Sequence, residues 1–191
     1  MDKKLKCIIK DIQSSKGYNI VYRTVHIDKS DKDYLCVSYA RPDQYCIRMY
    51  NDTLDEQVGT LYYSLEHNIC DIDLLMVDTK EQGNGLARFM HDLALGHADR
   101  MGITQSFGNI YPMAEIKALS NRGVYNNIKE SSKYLASVYK SLGNTVYYRE
   151  NDCFEYTFEC KWESGEKVRS LNLDQKEILS DIMFENSSDD I

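Results

Sequence analysis

The sequence predicts an α/β (α+β) fold, a mixed sheet flanked by helices, with a strand-rich N-terminal part and an extra C-terminal helix. Three observations predict it. The first third holds successive short runs of β-branched and aromatic residues separated by turn formers. Near residue 84 the apolar period lengthens from two to between three and four. Near residue 144 it shortens again, in two alternating runs of hairpin form, before one last amphipathic stretch.

The elements follow in order. "KCIIKDI" (6–12), "YNIVYRTVHI" (18–27), "DYLCVSYA" (33–40) and "YCIRMY" (45–50) read as strands, parted by "SSKG", "DKSDKD" and "RPDQ". "QVGTLYYSLEH" (57–67) and "CDIDLLMV" (70–77) come next, the latter ending in the continuous apolar run of a central strand. Leu86, Phe89, Met90, Leu93, Ala94 and His97 or Ala98 recur at helical steps, giving a helix over about 84–100 with Gly102 as its stop. "ITQSFGNI" (103–110) is a further strand, and 114–130 reads as a short helix plus loop broken at Gly123. "ESSKYLASVYKSLG" (130–143) is a second helix, capped by Ser131 or Ser132 and ended by Gly143. "NTVYYREN" and "CFEYTFECKW" form a terminal hairpin. In "LNLDQKEILSDIMF" (171–184), Ile178, Leu179, Ile182 and Met183 share a face that can dock on its own domain or on another subunit. The expected organisation is one domain over 1–162, then a C-terminal amphipathic helix and acidic tail over 163–191.

Composition narrows the function. The chain has 191 residues, 42% hydrophobic and 28% charged, enough to bury a sizeable core. Its apolar runs fall short of the roughly 20 residues that span a bilayer, and its opening lacks the apolar core of a signal peptide. A cytoplasmic protein with no membrane partner is expected. None of the six cysteines lies in a CxxC pair, so they read as small buried hydrophobes in a reducing compartment. A net charge of −7 argues against nucleic acid as a partner and suits a cationic substrate such as an amine or a basic peptide. His26 and His67 have no partners by spacing, and His91 and His97 do not share a metal-binding face, so all four read as structural or solvated.

The stretch "VDTKEQGNGLARFM" (77–90) sets two glycines between a strand and a helix. A helix start is an anion site, because its first N–H groups lack partners and the dipole is positive there. Glycine lets the backbone approach the anion closely. A P-loop would require Gly-Lys-Ser/Thr where "GNGLAR" stands, and a dinucleotide fingerprint would require a third glycine where Arg88 stands.

Gln82-Gly83-Asn84-Gly85-Leu86-Ala87 matches Q/R-x-x-G-x-G/A, and with it the chain resembles the GNAT acetyltransferase superfamily. Val77, five residues earlier, "LASVYKSLG" (135–143) and the closing strand pair extend the resemblance over about residues 57–162. It implies a GNAT-like, mostly antiparallel central sheet. It also implies an N-acetyltransferase moving an acetyl group from acetyl-CoA to a primary amine, by direct attack through a tetrahedral intermediate and without a metal. In that case backbone amides from Gly83 to Ala87 hold the pyrophosphate, with Gln82 at the Arg/Gln position. Leu75, Met76 and Val77 pair with pantetheine through their backbones, and a backbone N–H there can also stabilise the oxyanion. Tyr139 stands where the family often keeps its general acid, a phenol near pKa 10 against a thiol of about 8.5.

A Lys-type amine, with pKa near 10.4, must lose a proton before it attacks. Asp71 lies at the family's spacing for a base; Asp73, two residues on, shares its face, and Glu66 or a water relay are alternatives. The acceptor is a small-molecule amine or a protein or peptide, and the family's habit implies a homodimer. The sequence departs from the family in two places: residues 13–45 lack the usual helices, and 110–131 reads as an insertion on the acceptor side. A catalytically inactive binding or structural protein on the GNAT fold, or transfer of a different acyl group, are the alternatives.

Overall fold

The computed structural model describes residues 2–110, 128–150 and 154–187. Helix α1 (Lys3–Ser14) precedes an antiparallel meander of β1 (Tyr18–Ile27), β2 (Lys32–Ala40), β3 (Tyr45–Asn51), β4 (Gln57–Glu66) and β5 (Ile69–Val77). Helix α2 (Leu86–Arg100) leads to β6 (Gln105–Ile110), and α3 (Ile128–Ser141) leads to β7 (Thr145–Glu150) and β8 (Phe154–Lys161). Two helices follow, α4 (Glu166–Ser170) and α5 (Leu173–Ser187). The strands form one sheet in the order β1-β2-β3-β4-β5-β6-β8-β7. Every pairing is antiparallel except β5–β6, which the α2 crossover makes parallel. This is the mixed, mostly antiparallel sheet with flanking helices that the sequence predicts.

Three local expectations need correction. Residues 6–12 are not a strand but the middle of α1. Leu5, Ile8, Ile9 and Ile12 stand at helical spacing, and Asp2 caps the helix by accepting from the Lys4 N–H at 2.7 Å. The isoleucines suggest a strand by type, but their period is that of a helix. Cys7 sits on the outer side of α1 and is exposed, unlike Cys36, Cys46, Cys70 and Cys160, which are buried. Helix α3 begins at Ile128, so Ser131 and Ser132 lie inside it rather than at its cap. Gly143 does end it, at φ 92°, with the Asn144 N–H donating back to the Tyr139 carbonyl. The expected short helix and loop over 114–130 fall almost wholly outside the described residues.

Side-chain alternation divides the sheet into two faces. One carries Ile47, Met49, Leu61, Tyr63, Cys70 and Ile72, covered by Phe89, Met90 and Leu93 of α2. Helix α5 docks beside α2 through Ile178, Leu179 and Ile182, so its apolar face covers its own sheet. Arg23 of β1 fastens it from below, donating to Glu177 at 2.6 Å and Asp181 at 3.2 Å. The other face has a smaller core, where Leu5 and Ile12 of α1 meet Val37, Tyr39 and Cys46. Among the described residues no helix is long and apolar enough to cross a membrane.

The main core also holds an imidazole. His97 is fully buried on α2; its Nδ1 lies 2.8 Å from the Tyr63 hydroxyl and its ring stands edge-on to Tyr45. Burial pulls its pKa from 6.5 down to about 4. In the unfolded chain the ring takes a proton that the fold refuses, so stability is full above pH 6.5 and is lost as pH falls towards 4. The loss is of order 3 kcal/mol at most. Urea unfolding at pH 7.5 and pH 5 is expected to show this loss in the wild type and much less of it in His97→Asn. An equal pH dependence in both would place the acid sensitivity elsewhere.

Candidate functional site

The loop from Asp78 to Gly85 carries the chain from the end of β5 to the head of α2. Gly83 and Gly85 both take left-handed conformations, at φ 85° and 94°, which a side chain would strain. Gly85 is the N-cap of α2, and no side chain caps the helix. Among the described residues the leading N–H groups of α2 therefore have no side-chain partner, at the positive end of the dipole. The Gln82 amide donates to the Val77 carbonyl at 3.2 Å, which ties the loop to the strand it leaves.

A cleft of about 970 Å³ opens around this helix head. Leu75, Met76 and Val77 of β5 line it, as do Gln82, Gly83, Gly85, Leu86 and Ala87. Tyr139 of α3 lines it from the opposite wall, buried and stacked on Phe158 at 4.0 Å with the rings 14° apart. Asn84 does not reach the cleft; its side chain turns inward and donates to Glu81 at 2.7 Å.

The β5 wall has a further property. β5 and β6 pair only at Cys70–Ser106 and Asp71–Phe107, so the remainder of β5 runs without a ladder partner on that side among the described residues. The two strands part into a wedge whose open arm, Ile72–Val77, ends at the glycine loop. Unpaired N–H and C=O groups along such an edge suit an extended, amide-bearing ligand.

Asp71 and Asp73 lie elsewhere. Cys70 and Ile72 point into the helix-covered core, so Asp71 between them points through the sheet to the other side, at the last rung of the wedge. Asp73 is the extra residue of a bulge: Ile72 pairs with Tyr63 and Leu74 with Tyr62, leaving Asp73 between them. Burial raises the Asp71 pKa; burial, then Asp71, Asp43 and Glu66, raise that of Asp73. Neither carboxylate lines the cleft. They stand behind its apex.

No protein-family model and no curated protein matches the chain. Among solved structures it is similar to the cAMP-binding acyltransferase from Mycobacterium smegmatis, at 11% identity and a TM-score of 0.58, over 97% of this chain and 60% of that one. A mutant form of that enzyme matches at 10% identity and a TM-score of 0.60, over 95% and 59%. The fold is GNAT-like. The chain thus spans about 60% of the length of the acyltransferase it matches. A fainter likeness, to the PaiA N-acetyltransferase from Thermoplasma acidophilum in complex with coenzyme A, has 13% identity and a TM-score of 0.43, over 63% of this chain and 62% of that one. It is too remote to bear on the fold. Residues 18–40 form the β1–β2 hairpin, so this part of the chain is built of strands rather than helices.

Several cleft residues carry no signal in the sequence. Lys29 and His26 reach the rim from the end of β1, and Gln175 from the head of α5. Contrary to the sequence reading, His26 has a partner: its Nδ1 lies 2.8 Å from Asp33, and that bond holds its pKa above the ordinary value. Gln175, buried, donates to the Phe89 carbonyl at 2.9 Å and so braces the second turn of α2. His91, also buried, lies 3.2 Å from the Asn144 amide. The Gln175 and His91 contacts join segments 86 and 53 residues apart, which local patterns do not report.

Proposed function

We propose that the protein is a CoA-dependent N-acyltransferase, moving an acetyl group from acetyl-CoA to a primary amine on a small molecule, protein or peptide. One observation carries the reading: a helix head with two left-handed glycines opens into a cleft lined by β5, whose edge is unpaired among the described residues, and by a buried tyrosine. The residues fit the cofactor. The N–H groups of Gly83 and of Gly85 to Ala87 suit a pyrophosphate, that of Asn84 being given to the Glu81 carbonyl at 3.3 Å, and a Cβ built on Gly83 meets no atom within 4 Å among the described residues. The backbone edge of Leu75, Met76 and Val77 suits the amides of a pantetheine arm.

Acetyl-CoA, when bound, supplies an acetyl group already activated as a thioester. The chain supplies the rest. On this reading Tyr139, which lines the cleft, gives the proton of its hydroxyl to the departing sulfur. On the same reading Asp71, at the last rung before the strands part, takes a proton from the ammonium of the acceptor. Its raised pKa makes it a better base than a solvated carboxylate.

A carboxylate base must be ionised, so the rate should climb as pH rises through its elevated pKa. Asp71→Asn is expected to lower kcat/KM by about a hundredfold and to remove that acidic limb from the pH–rate profile. An unchanged profile would exclude Asp71 and turn attention to Asp73, Glu66 or a water relay.

Calorimetric titration of the purified protein with acetyl-CoA, CoA, NAD and ATP tests the reading as a whole. Selective binding of the CoA species is expected, followed by acetyl-CoA consumption in a screen of amines. Absence of CoA binding in protein shown to carry none through purification would leave the fold with a non-catalytic binding role.

A further inference from the structure

We infer that Glu81 is a positioning residue for the glycine loop, setting the helix head for the phosphates through hydrogen bonds to a single oxygen; this rests on the CoA reading above. A carboxylate one residue before an anion-binding loop is at first sight misplaced, because it would repel the ligand that the helix dipole attracts. Its surroundings resolve the conflict. The Glu81 side chain lies at the cleft wall but is only 16% exposed, and its oxygens are taken up by donors from β2 and from the loop itself. Its Oε2 accepts from the Tyr34 hydroxyl at 2.7 Å and from the Asn84 amide at 2.7 Å. Lys32 Nζ lies 3.1 Å from Oε1 and 3.3 Å from Oε2.

Each contact has a different consequence. Tyr34 is 1% exposed in the main core, so it offers a fixed anchor rather than a mobile surface group. Asn84 is the residue between the two left-handed glycines. Fixing its side chain inward fixes the peptide units on either side, and with them the direction of the N–H groups beyond Gly85. Lys32 is 53% exposed, and its ion pair offsets the charge while adding little rigidity. Burial works to raise the Glu81 pKa, but bonds from Tyr34, Asn84 and Lys32 outweigh it and hold the carboxyl below its ordinary range. The carboxylate therefore stays ionised and accepting at neutral pH. The loop is held at two points, by Glu81 against β2 and by Gln82 against the Val77 carbonyl.

The role of one oxygen makes the inference testable. Tyr34 and Asn84 both bond to Oε2, so a glutamine with its oxygen at that place keeps both bonds and gives up only the exposed ion pair. The experiment is calorimetric titration of wild type, Glu81→Ala, Glu81→Gln and Tyr34→Phe with CoA, beside thermal unfolding of each. Glu81→Ala is expected to weaken CoA binding about tenfold or more, the value of a charge-assisted hydrogen bond. Glu81→Gln should regain most of that loss, to within about threefold of wild type. Tyr34→Phe, which keeps the core ring, should fall between them, and it carries the test should Glu81→Ala not fold. Wild-type affinity in Glu81→Ala or in Tyr34→Phe would overturn the inference. So would a Glu81→Gln variant as weak as Glu81→Ala, which would assign the effect to charge alone. Failure of the wild type to bind CoA is a separate outcome, and it removes the functional reading together with this one.

Discussion

Gly85→Trp is expected to eliminate measurable CoA binding, weakening it at least a hundredfold, or about 2.7 kcal/mol. Two effects add. The left-handed backbone at φ 94° costs a side-chain-bearing residue about 1–2 kcal/mol. A Cβ at that position also comes within 3.1 Å of Ile27 Cγ2 and 3.4 Å of Lys29 Cβ, so the helix head must shift from the end of β1. Any shift there redirects the N–H groups on which phosphate binding would depend. Gly83→Ala is the matched comparison: its φ is 85°, but no atom lies within 4 Å of the added carbon, so it meets strain without crowding. Titration with CoA should therefore rank wild type above Gly83→Ala and Gly83→Ala above Gly85→Trp, with thermal unfolding run in parallel to show that the core persists. A Gly85→Trp variant that binds CoA as the wild type does would sink the phosphate-loop reading.

Tyr139→Phe is expected to lower turnover by about a hundredfold or more while leaving CoA affinity within about twofold, the range of lost general acid catalysis. The ring packs face to face on Phe158 at 4.0 Å, and phenylalanine preserves that stack. Thermal unfolding run beside the assay separates the two roles, since a fall in rate without a fall in Tm isolates the hydroxyl. The assay uses acetyl-CoA and whichever primary amine supports turnover in a screen. Wild-type turnover would assign Tyr139 to packing alone and require another proton source for the leaving sulfur.

The parts of the molecule that sequence alone reveals share a property: their signals are local. β1 is delimited at Tyr18–Ile27 because alternation and flanking turn residues lie within one ten-residue window. The glycine loop is recognisable for the same reason, since its two left-handed positions stand just before the helix that Gly85 caps. α1 shows how such signals can conflict, with isoleucine's strand preference set against a four-residue apolar period and a capping aspartate. There the period and the cap won. The bulge at Asp73 is invisible in sequence because it exists only relative to β4, and it alters how the two candidate carboxylates are presented. The Glu81 clamp is hidden for a related reason: Tyr34 lies 47 residues away and meets it only once β2 and the loop are both in place.

The docking of α5 on β1 has a consequence for how the protein is made. Arg23 and Glu177 meet across 154 residues of chain, so the cover for the first strand of the sheet is among the last described segments to leave the ribosome. At synthesis rates of about 5–20 residues per second, that interval is roughly 8–30 seconds. A β-meander can pair in far less time. For most of that interval Val21 and Val25 would belong to a formed but uncovered face, next to the unpaired edge of β1. The nascent chain is thus most exposed to aggregation after its sheet begins to form and before its last helix arrives, a window in which chaperone binding would matter more than the stability of the finished fold.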